Sequence, residues 1–252
     1  MQANRLQLNP TKTEVLWCAP PQRQNVIPSG TVCINSTSVL QVTSVHDLGV
    51  YTDTDVAMKT HVTNTVRGCF SALCQIRSVR RSMPRHALVT LVQALVVSKV
   101  DYCNAVLVGI LGYLQKQLQS VLNAAALLIY SAKNYDHITP LLRELHWLRV
   151  PERIQFRLCV LAYRCLTDTA LQYLADTLSL STNVAARCHL RSADSWTLQL
   201  PSTRRTTLGD RVFSVAAARA WNSLPPEIRN SDSLLTFRRM TKAYLFQLSF
   251  SN

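Results

Sequence analysis

From His61 onward the apolar positions recur every three to four residues, the period of a helix with one buried face. Val62, Val66, Cys69, Phe70, Leu73 and Ile76 share that face, while Arg67, Ser71 and Ser78 tend to the other; the run closes with "RSVRRSMP", where Pro84 stops it. A second run, Ala87 to Val100, sets Leu88, Leu91, Val92, Leu95 and Val96 inward. A third, Tyr113 to Tyr130, does the same with Leu114, Leu118, Val121, Leu122, Ala125 and Ile129. Three amphipathic segments on short connections predict a compact bundle. A further helix is predicted from Pro151, a favoured first-turn residue, to Leu166, with Ile154, Leu158, Leu161, Ala162 and Cys165 on its stripe. "TALQYLADTL" reads as a shorter helix. Two helices close the chain, Asp210 to Ser223 and Ser233 to Leu248, the second capped by "SDS" and presenting Leu234, Phe237, Leu245 and Leu248.

The N-terminal stretch has the other period. "TEVLW" (Thr13 to Trp17), "TVCIN" (Thr31 to Asn35) and "VHDLGVYTD" (Val45 to Asp53) alternate or are rich in β-formers, and Pro, Gly and Ser separate them. They predict a small antiparallel sheet, too small to be stable alone. "WTLQLP" predicts one more strand inside the polar stretch Ser179 to Arg211. The fold class is therefore α+β and predominantly α-helical, with short antiparallel strands ahead of a three-helix bundle and a helical C-terminal region. The corresponding divisions are 1–60, 61–132 and 133–252.

Composition agrees with a buried core: 48% of the 252 residues are hydrophobic, 16% are charged, and glycine numbers only six. Charge changes the picture more. Lys and Arg outnumber Asp and Glu 27 to 14, a net +13, which points to a polyanionic partner. No acidic residue lies between Asp55 and Asp101, whereas Lys59, Arg67, Arg77, Arg80, Arg81, Arg85 and Lys99 all do, so local sequence supplies no counter-charge. The plainer alternative is a solvated face. The eight cysteines form no CxxC pair and no zinc-knuckle spacing, and most sit among apolar residues, as in "CFSALC" and "FRLCVLAYRC". Reduced, buried thiols and an intracellular, reducing compartment are expected, without a metal. Neither a signal peptide pattern nor an uncharged apolar stretch of membrane-spanning length is read from the sequence. His137, Glu144 and His146 in "DHITPLLRELHWLRVP" suit no zinc-protease spacing, and His146 beside Trp147 reads as a packed, hydrogen-bonded histidine.

Eight phrases, in order, carry a resemblance: "NRLQLNPTKTEVLW", "VHDLGVYTD" with "MKTHV", "RSVRRSMP", "SKVDYCNAVL", "LQSVLNAAA", "DHITPLLRELHWLRVPERIQFRLCVLAYRCL", "YLADTLSL", and the stretch from "LRSADSWTLQLPSTRR" to "TKAYLF". Together they resemble the C-terminal part of the reverse transcriptase of LINE-type (non-LTR) retrotransposons, over nearly the whole chain. The resemblance implies that 1–60 is the end of the palm, that "VHDLGVYTD" is a primer-grip hairpin with Gly49 at its turn, and that 61–132 is the thumb. It places Lys12 in the fourth palm motif, near where a nucleotide would bind. The metal-binding aspartates of the family lie in an Ala-Asp-Asp turn upstream of these motifs, and Asp53, Asp55 and Asp101 do not stand on such a hairpin. Polymerase chemistry needs paired carboxylates to hold two divalent ions. The expectation is therefore a non-enzymatic remnant with no catalytic, cofactor or metal residues of its own, magnesium belonging to the full-length enzyme.

The thumb of this class lies along the template–primer duplex, which gives Arg67, Arg77, Arg80, Arg81 and Arg85 a role as phosphate contacts that hold RNA or RNA–DNA duplex without reading sequence. Leu127 stands in "NAAALLI" where many members carry arginine, which predicts a weaker backbone contact. "HWLRVP" departs from the family's usual "HWLPV", which shifts the expected start of the following helix. Arg204, Arg205 and Trp221 form a further RNA-binding hypothesis. The competing reading is a helical protein-interaction module or a non-functional retrotransposon-derived translation product.

Overall fold

A two-residue turn at Leu48 and Gly49 joins the clearest strand pair. Both have positive φ, 46° and 81°, the combination of a tight hairpin turn whose twist matches its strands. In this computed structural model, which describes residues 9, 12–28, 30–34, 37–133, 135–181, 196–203 and 206–250, two such antiparallel pairs occur. Strands β1 (Val32–Ile34) and β2 (Thr37–Val39) form the first, in register Val32 to Val39. Strands β3 (Ser44–Asp47) and β4 (Val50–Asp53) form the second, with His46 opposite Tyr51 and their rings stacked 4.2 Å apart. The predicted run Val45 to Asp53 is thus a hairpin. Thr13 to Trp17 is not a strand: Val15 makes one parallel bridge to Gln41 and extends no further.

Glycine meets positive φ without penalty, but Leu48 pays about 1–2 kcal/mol for it, and its side chain is 84% exposed. Leu48→Asn is accordingly expected to stabilise the hairpin by about 1 kcal/mol. Amide hydrogen exchange of β3 and β4 checks this, and faster exchange in the variant would show the strain estimate to be wrong.

The chain forms two compact units, Met1–Gly68 and Cys69–Asn252. Helix α1 (Lys59–Val79) begins in the first and continues in the second. Its start is fixed by the Asp53 carboxylate at the end of β4, which accepts the Thr60 N–H at 3.2 Å, and Asp55 accepts the Ala57 N–H at 2.9 Å. Both acids therefore organise the strand-to-helix approach. His61 is buried beside them; burial lowers its pKa, the Asp53 charge opposes that shift, and His46 adds to it.

In the second unit a 3₁₀ turn (Arg80–Ser82) follows α1 and leads through Pro84 into α2 (Arg85–Val92). A π-helical turn, Gln93–Val97, joins α2 directly to α3 (Ser98–Asp101). That turn rotates the stripe. Leu88, Val92 and Val96 are buried as predicted, but Leu95 is 41% exposed and Val97 and Val100 take the inward positions. Ser98 donates its hydroxyl to the Ala94 carbonyl, a local bond that competes with the regular helix ladder.

Helix α4 (Gly112–Tyr130) buries all six residues predicted for it. It ends on Ser131 in the left-handed region, with Ala132 N–H bonded back to the Leu127 carbonyl, a glycine-like stop made by serine. Helix α5 (Ile138–Glu144) was not predicted; its seven residues are too few for a periodic signal, and it too closes on a left-handed residue, His146. Helix α6 (Val150–Leu166) starts one residue before its Pro151 and packs against α4, with Ile154, Leu158, Ala162 and Cys165 buried. Thus helices on either side of residue 132 share a core.

The remaining helices are α7 (Gln172–Ala175), α8 (Thr206–Gly209), α9 (Phe213–Asn222), α10 (Pro226–Arg229) and α11 (Leu234–Phe250). "TALQYLADTL" contributes a single turn, and "WTLQLP" only an isolated bridge from Leu198 to Leu180. The cap predicted for the last helix is present: Ser233 Oγ accepts the Thr236 N–H at 3.2 Å. Leu248, predicted inward, is 52% exposed. Helices α9 and α11 pack on α6 around Trp221, Phe237 and Tyr163. Among the described residues the protein is mostly helical with two short antiparallel strand pairs, which agrees with the predicted α+β, predominantly helical class but not with the predicted strands Thr13 to Trp17 and "WTLQLP".

Candidate nucleic-acid interface

The basic corner is built by the end of one helix and the start of the next. Arg77 lies in the last turn of α1, Arg80 and Arg81 in the 3₁₀ turn, and Arg85 at the first residue of α2. Pro84 halts the chain between them, which confines Arg77, Arg80 and Arg81 to the carboxyl end of α1, where their charge also complements the partial negative charge of the helix terminus. Arg77 and Arg81 are exposed and Arg80 is half-buried. Among the described residues none of the three guanidinium groups has a carboxylate partner. Arg77 and Arg80 border a cleft of about 240 Å³ whose walls include Phe70, Cys74, Leu127 and Leu128. Phe70, predicted to face the core, is 38% exposed at this cleft. Leu127 completes the apolar wall.

Arg85 differs. Its Nη2 donates to Glu144 Oε1 of α5 at 2.6 Å, and its guanidinium lies 4.1 Å over the Tyr130 ring. The hydrogen bond raises the Arg85 pKa and lowers that of Glu144. Arg85 therefore has a counter-charge that its own stretch of sequence does not supply. Glu144, 59 residues away in the chain, supplies it, and no local pattern announces that pairing. Arg67 stands exposed on α1 within the first unit.

The other candidate residues are placed plainly. Lys12 is exposed. His137 precedes α5, Glu144 is taken by Arg85, and His146 is exposed rather than packed, its ring centroid 5.6 Å from that of Phe246. Trp221 is fully buried, so it has no face to offer a base; Arg204 and Arg205 lie outside the described residues. Among the described residues no three His, Cys, Asp or Glu side chains gather as a metal site, and no helix is long and apolar enough to cross a membrane.

The thiols divide by burial. Cys69, Cys159 and Cys165 are buried, and burial pushes the Cys159 pKa up to about 12, its S–H donating to the Ala220 carbonyl at 3.4 Å. Cys18, Cys33, Cys74 and Cys103 are exposed, which corrects the expectation that both cysteines of "CFSALC" are internal; Cys188 lies outside the described residues. Comparison with protein-family models, with curated proteins and with solved structures returned no match.

Proposed function

We propose that this chain is the end of the palm, the thumb and the C-terminal region of a LINE-type reverse transcriptase, and that its basic corner holds the phosphate backbone of RNA or RNA–DNA duplex without reading sequence. The observation that carries the binding reading is the set of three guanidinium groups, Arg77, Arg80 and Arg81, that have no carboxylate partner among the described residues and stand at one helix end. Such groups bind phosphate through planar forks and release counterions on contact. Arg85 is already paired, so in this reading it contributes less than its three neighbours. The assignment to the family rests on the ordered phrases of the sequence. In it the chain grips nucleic acid and does not extend it, because its 252 residues contain no Ala-Asp-Asp turn to hold the two metal ions.

Filter binding to RNA and to RNA–DNA duplex at several salt concentrations tests the reading. Affinity is expected to fall steeply with salt, and the Arg80→Glu/Arg81→Glu variant to flatten the log–log slope by about one unit per arginine. A salt-independent response, or full affinity in the variant, defeats the interface. Incorporation of nucleotides by the chain alone with magnesium would overturn the non-catalytic reading.

A further inference from the structure

A second group of cations surrounds a cavity of about 520 Å³ elsewhere in the second unit. Its lining includes Arg153 and Arg157 of α6, Arg238 and Lys242 of α11, and, as the one carboxylate among the described residues, Asp101 of α3. That carboxylate is already committed: Arg153 Nη1 donates to both its oxygens, at 2.9 and 2.8 Å. Arg157, Arg238 and Lys242 are exposed at the rim and have no hydrogen-bond or ion-pair partner among the described residues. Three unneutralised positive charges converging on one concavity repel each other, and an anion bound between them relieves that repulsion. The volume falls within the range of about 300–1,000 Å³ typical of small-molecule sites.

The lining adds a second demand. Asn104 is only 4% exposed; its Nδ2 faces Asp101 at 3.5 Å, but its Oδ1 has no hydrogen-bond partner among the described residues. A buried acceptor without a donor is destabilising unless a ligand or water supplies the missing O–H or N–H. Gln93, the first residue of the π-helical turn, also borders the cavity, and such turns occur often at functional sites.

We infer that this cavity is a binding site for a phosphate group that carries or adjoins a hydroxyl donor: inorganic hydrogen phosphate or a small phosphate monoester. Arg157, Arg238 and Lys242 hold the anionic oxygens. The P–OH, or a neighbouring hydroxyl of the ester, donates to Asn104 Oδ1. Sulfate has matching charge and shape but no O–H at neutral pH, so the site discriminates against it. The inference is independent of the proposed nucleic-acid grip, since it uses none of the corner arginines.

Thermal denaturation and titration calorimetry of the full chain, with phosphate, adenosine monophosphate and sulfate at matched ionic strength, decide the matter. Saturable stabilisation by phosphate or the nucleotide, and a weaker response to sulfate, are expected. Inorganic phosphate binding as well as the nucleotide identifies the free anion as the ligand, and tighter nucleotide binding identifies the ester. Because Arg157, Arg238 and Lys242 are exposed, Arg157→Gln, Arg238→Gln and Lys242→Gln are expected to leave folding intact while each weakens binding about tenfold. Arg80→Glu/Arg81→Glu serves as a control and should bind the small anion like the parent. Equal effects of sulfate and phosphate, no saturable binding of either probe, or full affinity in the three neutralising variants would overturn the assignment.

Discussion

Replacing Trp221 with alanine is expected to cost about 3–5 kcal/mol of unfolding free energy, measured by urea denaturation. Trp221 is wholly buried where α9 meets α6 and α11. Its ring stacks 5.6 Å from Phe237 and lies 6.5 Å from Tyr163, which in turn stacks on Phe237 at 4.5 Å. Truncation opens a large cavity among three helices and strips two other aromatic rings of a contact face. The hydrogen bond it removes is a smaller part of the effect. Trp221 Nε1 donates to the Trp196 carbonyl at 2.6 Å, but Arg229 Nη1 reaches the same oxygen at 3.2 Å and keeps it satisfied. Trp196→Ala, which removes a ring that is 45% exposed, provides the contrast and should cost much less. A loss below about 1 kcal/mol for Trp221→Ala would mean that α9 is not part of the cooperative core.

The second large effect belongs to Asp101 and Arg153. The Arg153 side chain is 11% exposed and that of Asp101 29%, and Arg153 Nε also donates to the Leu148 carbonyl at 2.8 Å. Asp101→Ala leaves this guanidinium desolvated and uncompensated, now beside three further cations. The expected cost is about 3 kcal/mol, toward the lower end for breaking a buried pair because the carboxylate keeps some solvent. Removing both charges in Asp101→Leu/Arg153→Met should be milder than either single change, since no buried charge is stranded. A double-mutant cycle by chemical denaturation reads the difference, and additivity of the two single effects would show that the pair is not coupled.

Much of the helical architecture was legible because α4 and α6 are long, strongly periodic and buried on one stripe. The misreadings have local causes. An uninterrupted 3.6-residue period places Leu95 inward, and the π-helical turn breaks that period. Thr13 to Trp17 and the segment around Leu198 have strand-like composition, yet a strand exists only where a neighbour offers a ladder, and each finds a single bridge. Helix ends at Ser131 and His146 carried no glycine to mark them. At the site, the positions of Arg77, Arg80 and Arg81 followed from Pro84, a local signal. Neutralisation of Arg85 by Glu144, and convergence of Arg157 with Arg238 and Lys242, depend on contacts between distant segments that no window of sequence contains.

The π-helical turn has a geometric consequence for the second half of the molecule. An added residue turns everything after it by about 100° around the helix axis. The surplus residue within Gln93–Val97 therefore works like a vernier on the rod from Arg85 to Asp101: it sets the azimuth at which Asp101 leaves the helix to meet Arg153. Shortening the rod by one residue there would alter no charge, yet would swing the carboxylate away from its partner as surely as deleting it.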